Sequence, residues 1–264
     1  MLISLNTRRL HYDLIGPETG RVVCFAHALA ADSGMWSEQI PAVLALGRRV
    51  LRIDMRGHGG SDPVPGDYTL AELASDIVAV LDAADIGGAD YVGLSIGGMI
   101  GEALALHHSS RVSSLMLCET PPASLRNAQE IWGPRIAAVK KAVSLEPIAD
   151  ATMERWLTPD FKARHPVRWR QIRDTVAATS VPGYCGAVAA LSSFDFGAEL
   201  PRLRVPALVL YGEEDRATSH EENQRLASLI PGGRFVAVSG ARHLPNIEDP
   251  ARFNRILTDW LSRV

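Results

Sequence analysis

The sequence predicts an α/β fold: a mostly parallel, eight-stranded sheet flanked by helices, with a helical cap inserted after the sixth strand. Three observations lead there. Short runs rich in Val, Leu and Ile recur along the chain as continuous apolar stretches, the pattern of strands buried on both faces. Segments of helical periodicity lie between them, as parallel crossovers require. Between the run ending at Cys118 and the one starting near Pro206, helical periodicity continues with no convincing strand, over a stretch too long for a connecting loop.

The strand candidates are 2–5, 9–14, 21–26, 49–53, 90–94, 113–118, 206–211 and 234–238. The first two are short and closely spaced, which predicts an antiparallel hairpin at one edge; the others should be parallel. Helices are expected at 36–46, over "TLAELASDIVAVLDAAD" with Thr69 as N-cap, and at 97–108, 220–230 and 250–262. In the second of these Leu70, Leu73, Ile77, Val80 and Leu81 fall on one face. Residues 1–121 and 201–264 then form the core and 122–200 the cap.

Composition narrows the function classes. A chain of 264 residues, 47% hydrophobic and 22% charged, is globular and not disordered. It has no continuous apolar stretch long enough for a membrane span, and the N-terminal "MLISLNTRRLHYDL" lacks the apolar core of a secretory signal, so a cytoplasmic location is expected. The formal charge is only −3 without long like-charge runs, which argues against nucleic acid or an anionic membrane as partner and for a small molecule. Cys24, Cys118 and Cys185 are distant and odd in number, so neither a zinc site nor a disulfide framework is suggested; two of them sit in apolar runs as core fillers.

The stretch "DYVGLSIGGMIG" carries the chemistry. Ser95 lies between Gly93 and Gly97, after an apolar strand and before a helical run. G-x-S-x-G alone is a weak signal, but strand–turn–helix is the context in which a serine is presented as a nucleophile. A serine on a strained turn needs neighbours without Cβ, and the helix that follows aims its amides at developing negative charge. A serine hydroxyl also needs a base, and the base a carboxylate to orient it. Asp215 ends "ALVLYGEED" and His243 follows the last strand in "SGARHLP", giving the chain order Ser, Asp, His at the carboxyl ends of strands. Glu213 and Glu214 compete with Asp215, which is favoured by its G-x-x-D spacing from Gly212, and Glu119, just past 113–118, is a further rival. Oxyanion donors should be the backbone N–H of Ile96, directly after the serine, and that of Leu29 in the turn "HALAAD".

With these motifs and "DMRGHGGSD" in place, the chain resembles the α/β-hydrolase superfamily over its whole length. Within it, the sequence looks most like the 3-oxoadipate enol-lactonases, through "GDYTLAELASDIVAVLDA", "GLSIGGMIG" and the cap segments "WGPRIAAV", "MERWLTPDFKARHP" and "GYCGAVAAL". That resemblance implies ring opening by a serine triad, with neither cofactor nor metal. It departs in the turn at His27–Asp32, where Ala28 and Ala30 stand in place of small or glycine residues. A carboxylated substrate would want an arginine: Arg135 is the candidate, with Trp132 as an apolar wall, although both could simply cover their helix. Other lactones or esters, haloperoxidase or perhydrolase chemistry, and a ligand-sensing role with an intact triad are alternatives that share these motifs.

Overall fold

A computed structural model of the chain describes residues 1–5 and 8–264. Eight strands form one sheet in the order β1-β2-β4-β3-β5-β6-β7-β8. They are β1 (Leu2–Leu5), β2 (Arg8–Ile15), β3 (Val22–Ala26), β4 (Arg49–Ile53), β5 (Ala89–Leu94), β6 (Val112–Cys118), β7 (Ala207–Gly212) and β8 (Arg234–Val238). β1 pairs antiparallel with β2 and β2 with β4, and every pairing from β4 onward is parallel, as the apolar patterning predicts. β3, β5 and β7 are buried at every residue, which is why they read as apolar runs, broken only by Asp90 in β5, whose carboxylate is held by Ser114 and Arg48.

From β3 the chain steps outward to β4, then returns to lay β5 on the other side of β3. The connections leaving β3 and β5 therefore part in opposite directions and open a crevice at the carboxyl ends of these strands. The site is built there.

Helices α1 (Ile40–Ala45), α2 (Leu70–Ala83), α3 (Ile96–His107), α9 (His220–Leu229) and α11 (Pro250–Leu261) flank the sheet, with a short α10 (Pro245–Glu248) after β8. The expected Thr69 start carries a complete capping box with Glu72, worth about 1 kcal/mol. The helix expected at 36–46 is different: a 3₁₀ helix spans Ser33–Gln39 and α1 begins only at Ile40. The physical reason is Pro41, which has no N–H to continue the ladder but fits the first turn of a new helix; Asp32 starts the earlier segment by accepting the Gly34 amide.

Between β6 and β7 lie α4 (Ala128–Ala142), α5 (Glu146–Trp156), α6 (Pro159–Arg164), α7 (Pro166–Ala178) and α8 (Val181–Ser192). The chain enters and leaves this helical segment through a narrow antiparallel neck, where Ala123 bridges Asp195, Phe196 donates to the Pro122 carbonyl and Ser124 to that of Phe194. The helices are also fastened to the core. Gly57 and Gly183 touch backbone to backbone, so a Cβ on Gly57 would come within 2.5 Å of the Gly183 Cα. Beside them Ser180 donates to the Gly57 carbonyl, and Arg242 donates to the carbonyls of Glu154 and Leu157. Among the described residues no helix is long and apolar enough to cross a membrane. Cys24 and Cys118 are buried in the sheet, where desolvation pushes the Cys24 thiol up to about 12, while Cys185 is half-buried.

Candidate active site

Ser95 follows β5 directly and takes φ 56°, ψ −121°, a conformation that few L-residues adopt. Its surroundings hold it there. Its amide donates to the Cys118 carbonyl at 2.8 Å, and its own carbonyl accepts from Thr120 Oγ1 at 2.9 Å. The flanking glycines are steric requirements: a Cβ on Gly93 would lie 2.2 Å from the Gly97 carbonyl oxygen, and one on Gly97 would lie 2.4 Å from that of Ala26. Strand, turn and helix can pack this closely only without those side chains.

His243 stands in the loop after β8, with its side chain almost wholly buried, and its Nδ1 lies 3.0 Å from Asp215 Oδ2. An ionised carboxylate only accepts, so Nδ1 carries the proton and Nε2 keeps a free lone pair. Burial alone would raise the Asp215 pKa, but the charge and hydrogen bond of His243, with Thr218 and the Ala217 amide, outweigh it and hold the pKa at about 2. Gly212 gives the G-x-x-D spacing its physical meaning, since a Cβ there would meet the Arg242 carbonyl at 2.4 Å and hold the histidine loop away. Glu213 and Glu214 point to solvent. Glu119 is fully buried beside Asp215 and does not contact the imidazole by a hydrogen bond.

Ser95, His243, Leu29, Trp132 and Arg135 all line one cavity between the sheet edge and the helical segment. The Ile96 side chain is buried beneath it, leaving its amide at the start of α3. Among the described residues neither the Leu29 nor the Ile96 amide is taken up in a hydrogen bond, so both are free to receive an oxyanion. The turn bearing Leu29 is fixed by His27, whose Nε2 accepts the Met55 amide at 2.9 Å and whose Nδ1–H donates to the Ala28 carbonyl at 2.8 Å. Ala30 adopts φ 61°, so the turn uses a left-handed residue where glycine would fit without strain. The neighbouring "DMRGHGGSD" loop is held by Asp54, which accepts the amides of Ser33 and Gly60.

Two residues of this cavity lie in "MERWLTPDFKARHP", but no pattern in the sequence marks them as site residues. The Trp156 ring stacks on His243 with centroids 6.2 Å apart and planes at 30°. Arg155, beside it, also faces the cavity; burial and the charge of Arg135 bring its pKa down to about 10. The Arg135 guanidinium lies 4.7 Å over the Trp132 ring. Among the described residues neither arginine is paired with a carboxylate, so the cavity presents two uncompensated cations within largely apolar walls.

A positive-φ serine at a strand-to-helix turn, with an aspartate–histidine pair converging on the same cavity, is the architecture of an α/β-hydrolase. The comparisons agree: residues 21–250 match the family model described as the alpha/beta hydrolase fold, and the chain belongs to that family. It is a hydrolase. Among characterised proteins it resembles 3-oxoadipate enol-lactonase 2 of Acinetobacter baylyi, with 31% identity over 96% of this chain and 93% of the relative. It is also 30% identical, over 97% of both chains, to the protein of Variovorax paradoxus named "Putative carbamate hydrolase RutD". The solved enol-lactonase of Burkholderia xenovorans LB400 superposes with a TM-score of 0.94 at 34% identity, over 99% of this chain and all of that one (100%).

Proposed function

We propose that the protein is a serine hydrolase that opens a small carboxylated enol-lactone, of the 3-oxoadipate enol-lactone type, through an acyl-enzyme. The observation that carries this reading is the cavity itself, which brings Ser95 and His243 together with two arginines that pair with no carboxylate among the described residues, in largely apolar walls. In the first step Ser95 Oγ attacks the lactone carbonyl while its proton passes to His243 Nε2. The amides of Ile96 and Leu29 hold the oxyanion, and Asp215 stabilises the imidazolium. The ring C–O bond then breaks and releases an enolate that stays tethered to the acyl group. It is a good leaving group, and on taking the proton that His243 carries it becomes the enol and then the ketone, which leaves the imidazole neutral. Water attacks the acyl-enzyme with His243 again as base, releasing the acid and returning the proton to Ser95.

Arg135 grips the substrate carboxylate over the Trp132 face, with Arg155 as a second positive neighbour. No cofactor enters the scheme, and the partner is a small molecule. A hydrolysis panel of enol-lactones, saturated lactones, simple esters and a carbamate, with Ser95→Ala as control, tests it. The highest kcat/KM is expected on a carboxylated enol-lactone, with activity lost in the variant. Preference for the carbamate, or full activity in Ser95→Ala, would sink the reading.

A further inference from the structure

Behind Asp215 lies a second carboxyl group that the reaction scheme does not use. Glu119 follows directly on β6 with φ 51°, which turns its side chain toward β7, where it is fully buried. Its Oε1 accepts the Gly212 amide at 2.5 Å, whereas Oε2 is buried and receives no hydrogen bond. One carboxylate oxygen each of Glu119 and Asp215 and one ring nitrogen of His243 lie within 4.8 Å of one another. Two buried carboxyl groups this close, without a lysine or arginine between them, cannot both be ionised.

The hydrogen bonds decide which one keeps the proton. Asp215 accepts from His243 Nδ1, Thr218 Oγ1 and the amides of Ala217 and Thr218, all donors that favour the anion. Glu119 accepts from a single amide. We propose that Glu119 is a positioning residue that works in its neutral form, donating a proton from Oε2 to the Asp215 carboxylate and so fixing the face that Asp215 turns to His243. This rests on the reading of Ser95, His243 and Asp215 as the reacting set.

The other titratable groups around Glu119 point the same way. Burial, the Asp215 charge and the shared hydrogen bond push its pKa well above the usual range, and the charge of Glu248 on α10 adds to them; only the Gly212 amide opposes. Cys118, at the end of β6, and Tyr211, on β7, are themselves pushed up and stay neutral near pH 7, so neither adds a charge to the pair. The His243 imidazole is within reach, but its Nδ1–H is donated to Asp215 and not to Glu119.

Glu119→Leu removes the donor and Glu119→Gln restores one of nearly the same shape. In the Leu variant kcat should fall about tenfold with KM nearly unchanged, because Asp215 is left free to rotate. The acid limb of its kcat/KM profile should move to higher pH, since an unshared Asp215 charge makes the imidazole more basic. Glu119→Gln should recover most of the lost rate, with an acid limb overlying that of the wild type. Two kinetic outcomes would overturn the proposal. A downward move of the acid limb by about one pH unit in Glu119→Gln would mean that a negative charge had been removed. A Leu variant equal to wild type would mean that nothing is positioned.

Carbon-labelled glutamate in the unmutated protein gives a reading that does not depend on how the variants fold. The Glu119 carboxyl signal should stay at its protonated position through neutral pH, and an ionised signal refutes the proposal. Activity in Ser95→Ala separates the two readings, because it bears on the reacting set and leaves the Glu119 signal where it is.

Discussion

The His243 imidazole leans on the indole of Trp156, the last residue of α5, with ring centroids 6.2 Å apart. The imidazole comes from the loop after β8 and its backing from the helices between β6 and β7, so its orientation depends on both. Trp156→Leu should keep the fold yet lower kcat about tenfold, because an imidazole without its stacking surface samples unproductive orientations. Steady-state kinetics beside a thermal melt would show it; an unchanged kcat would mean that Asp215 alone orients the ring.

Arg135 and Arg155 should discriminate by charge. Arg135→Ala is expected to raise KM for a carboxylated lactone about tenfold or more, with less than about a twofold effect on a neutral ester of similar size. Arg155→Ala should act in the same direction. Equal effects on both substrates would assign Arg135 to packing over Trp132.

Asp215 ties stability to acid pH. Its pKa is about 2 in the folded protein against the 3.8 of an unperturbed aspartate, so the native state favours the ionised form. The resulting stabilisation is complete above the unfolded value and is lost as the pH falls through the folded one. The interval corresponds to about 2 kcal/mol. Urea unfolding of the wild type and of Asp215→Asn should therefore converge by roughly that amount between about pH 5 and about pH 2. A gap that does not change with pH would contradict the assignment.

Ala30 holds φ 61° in the turn that carries the Leu29 amide. Glycine adopts this conformation without the Cβ strain, so Ala30→Gly should stabilise the protein by up to about 1 kcal/mol, the entropy of glycine offsetting part of the relief. The melting temperature checks this, and a lower value would mean that the methyl group packs more tightly than the backbone is strained.

How far the sequence reaches follows from what each feature depends on. Strands such as "ALVLYG" announce themselves because burial on both faces leaves no room for polar residues, and the Ser95 turn does so because its glycines are enforced by backbone contacts at 2.2 and 2.4 Å. That Asp215, and not Glu213 or Glu214, meets His243 is legible because Gly212 must admit the histidine loop. The 3₁₀ segment before Ile40 is not, since apolar spacing does not distinguish a helix that restarts at a proline from one that continues. Trp156 and Arg155 were invisible for another reason: their roles arise where α5 meets a loop some ninety residues further on, as the Arg242 bonds to Glu154 and Leu157 illustrate (88 and 85 residues apart), and no local pattern encodes that meeting.

The neck between Pro122–Ser124 and Phe194–Phe196 bears on how such a protein changes over time. A segment whose two ends lie side by side can be lengthened, shortened or exchanged whole without shifting the register of the sheet on either side, because the ends already meet the closure condition that the rest of the chain imposes. Ancestry can therefore keep the serine turn almost fixed while the inserted helices are rewritten, and new acyl groups can come within reach of an old nucleophile through changes confined to one splice point.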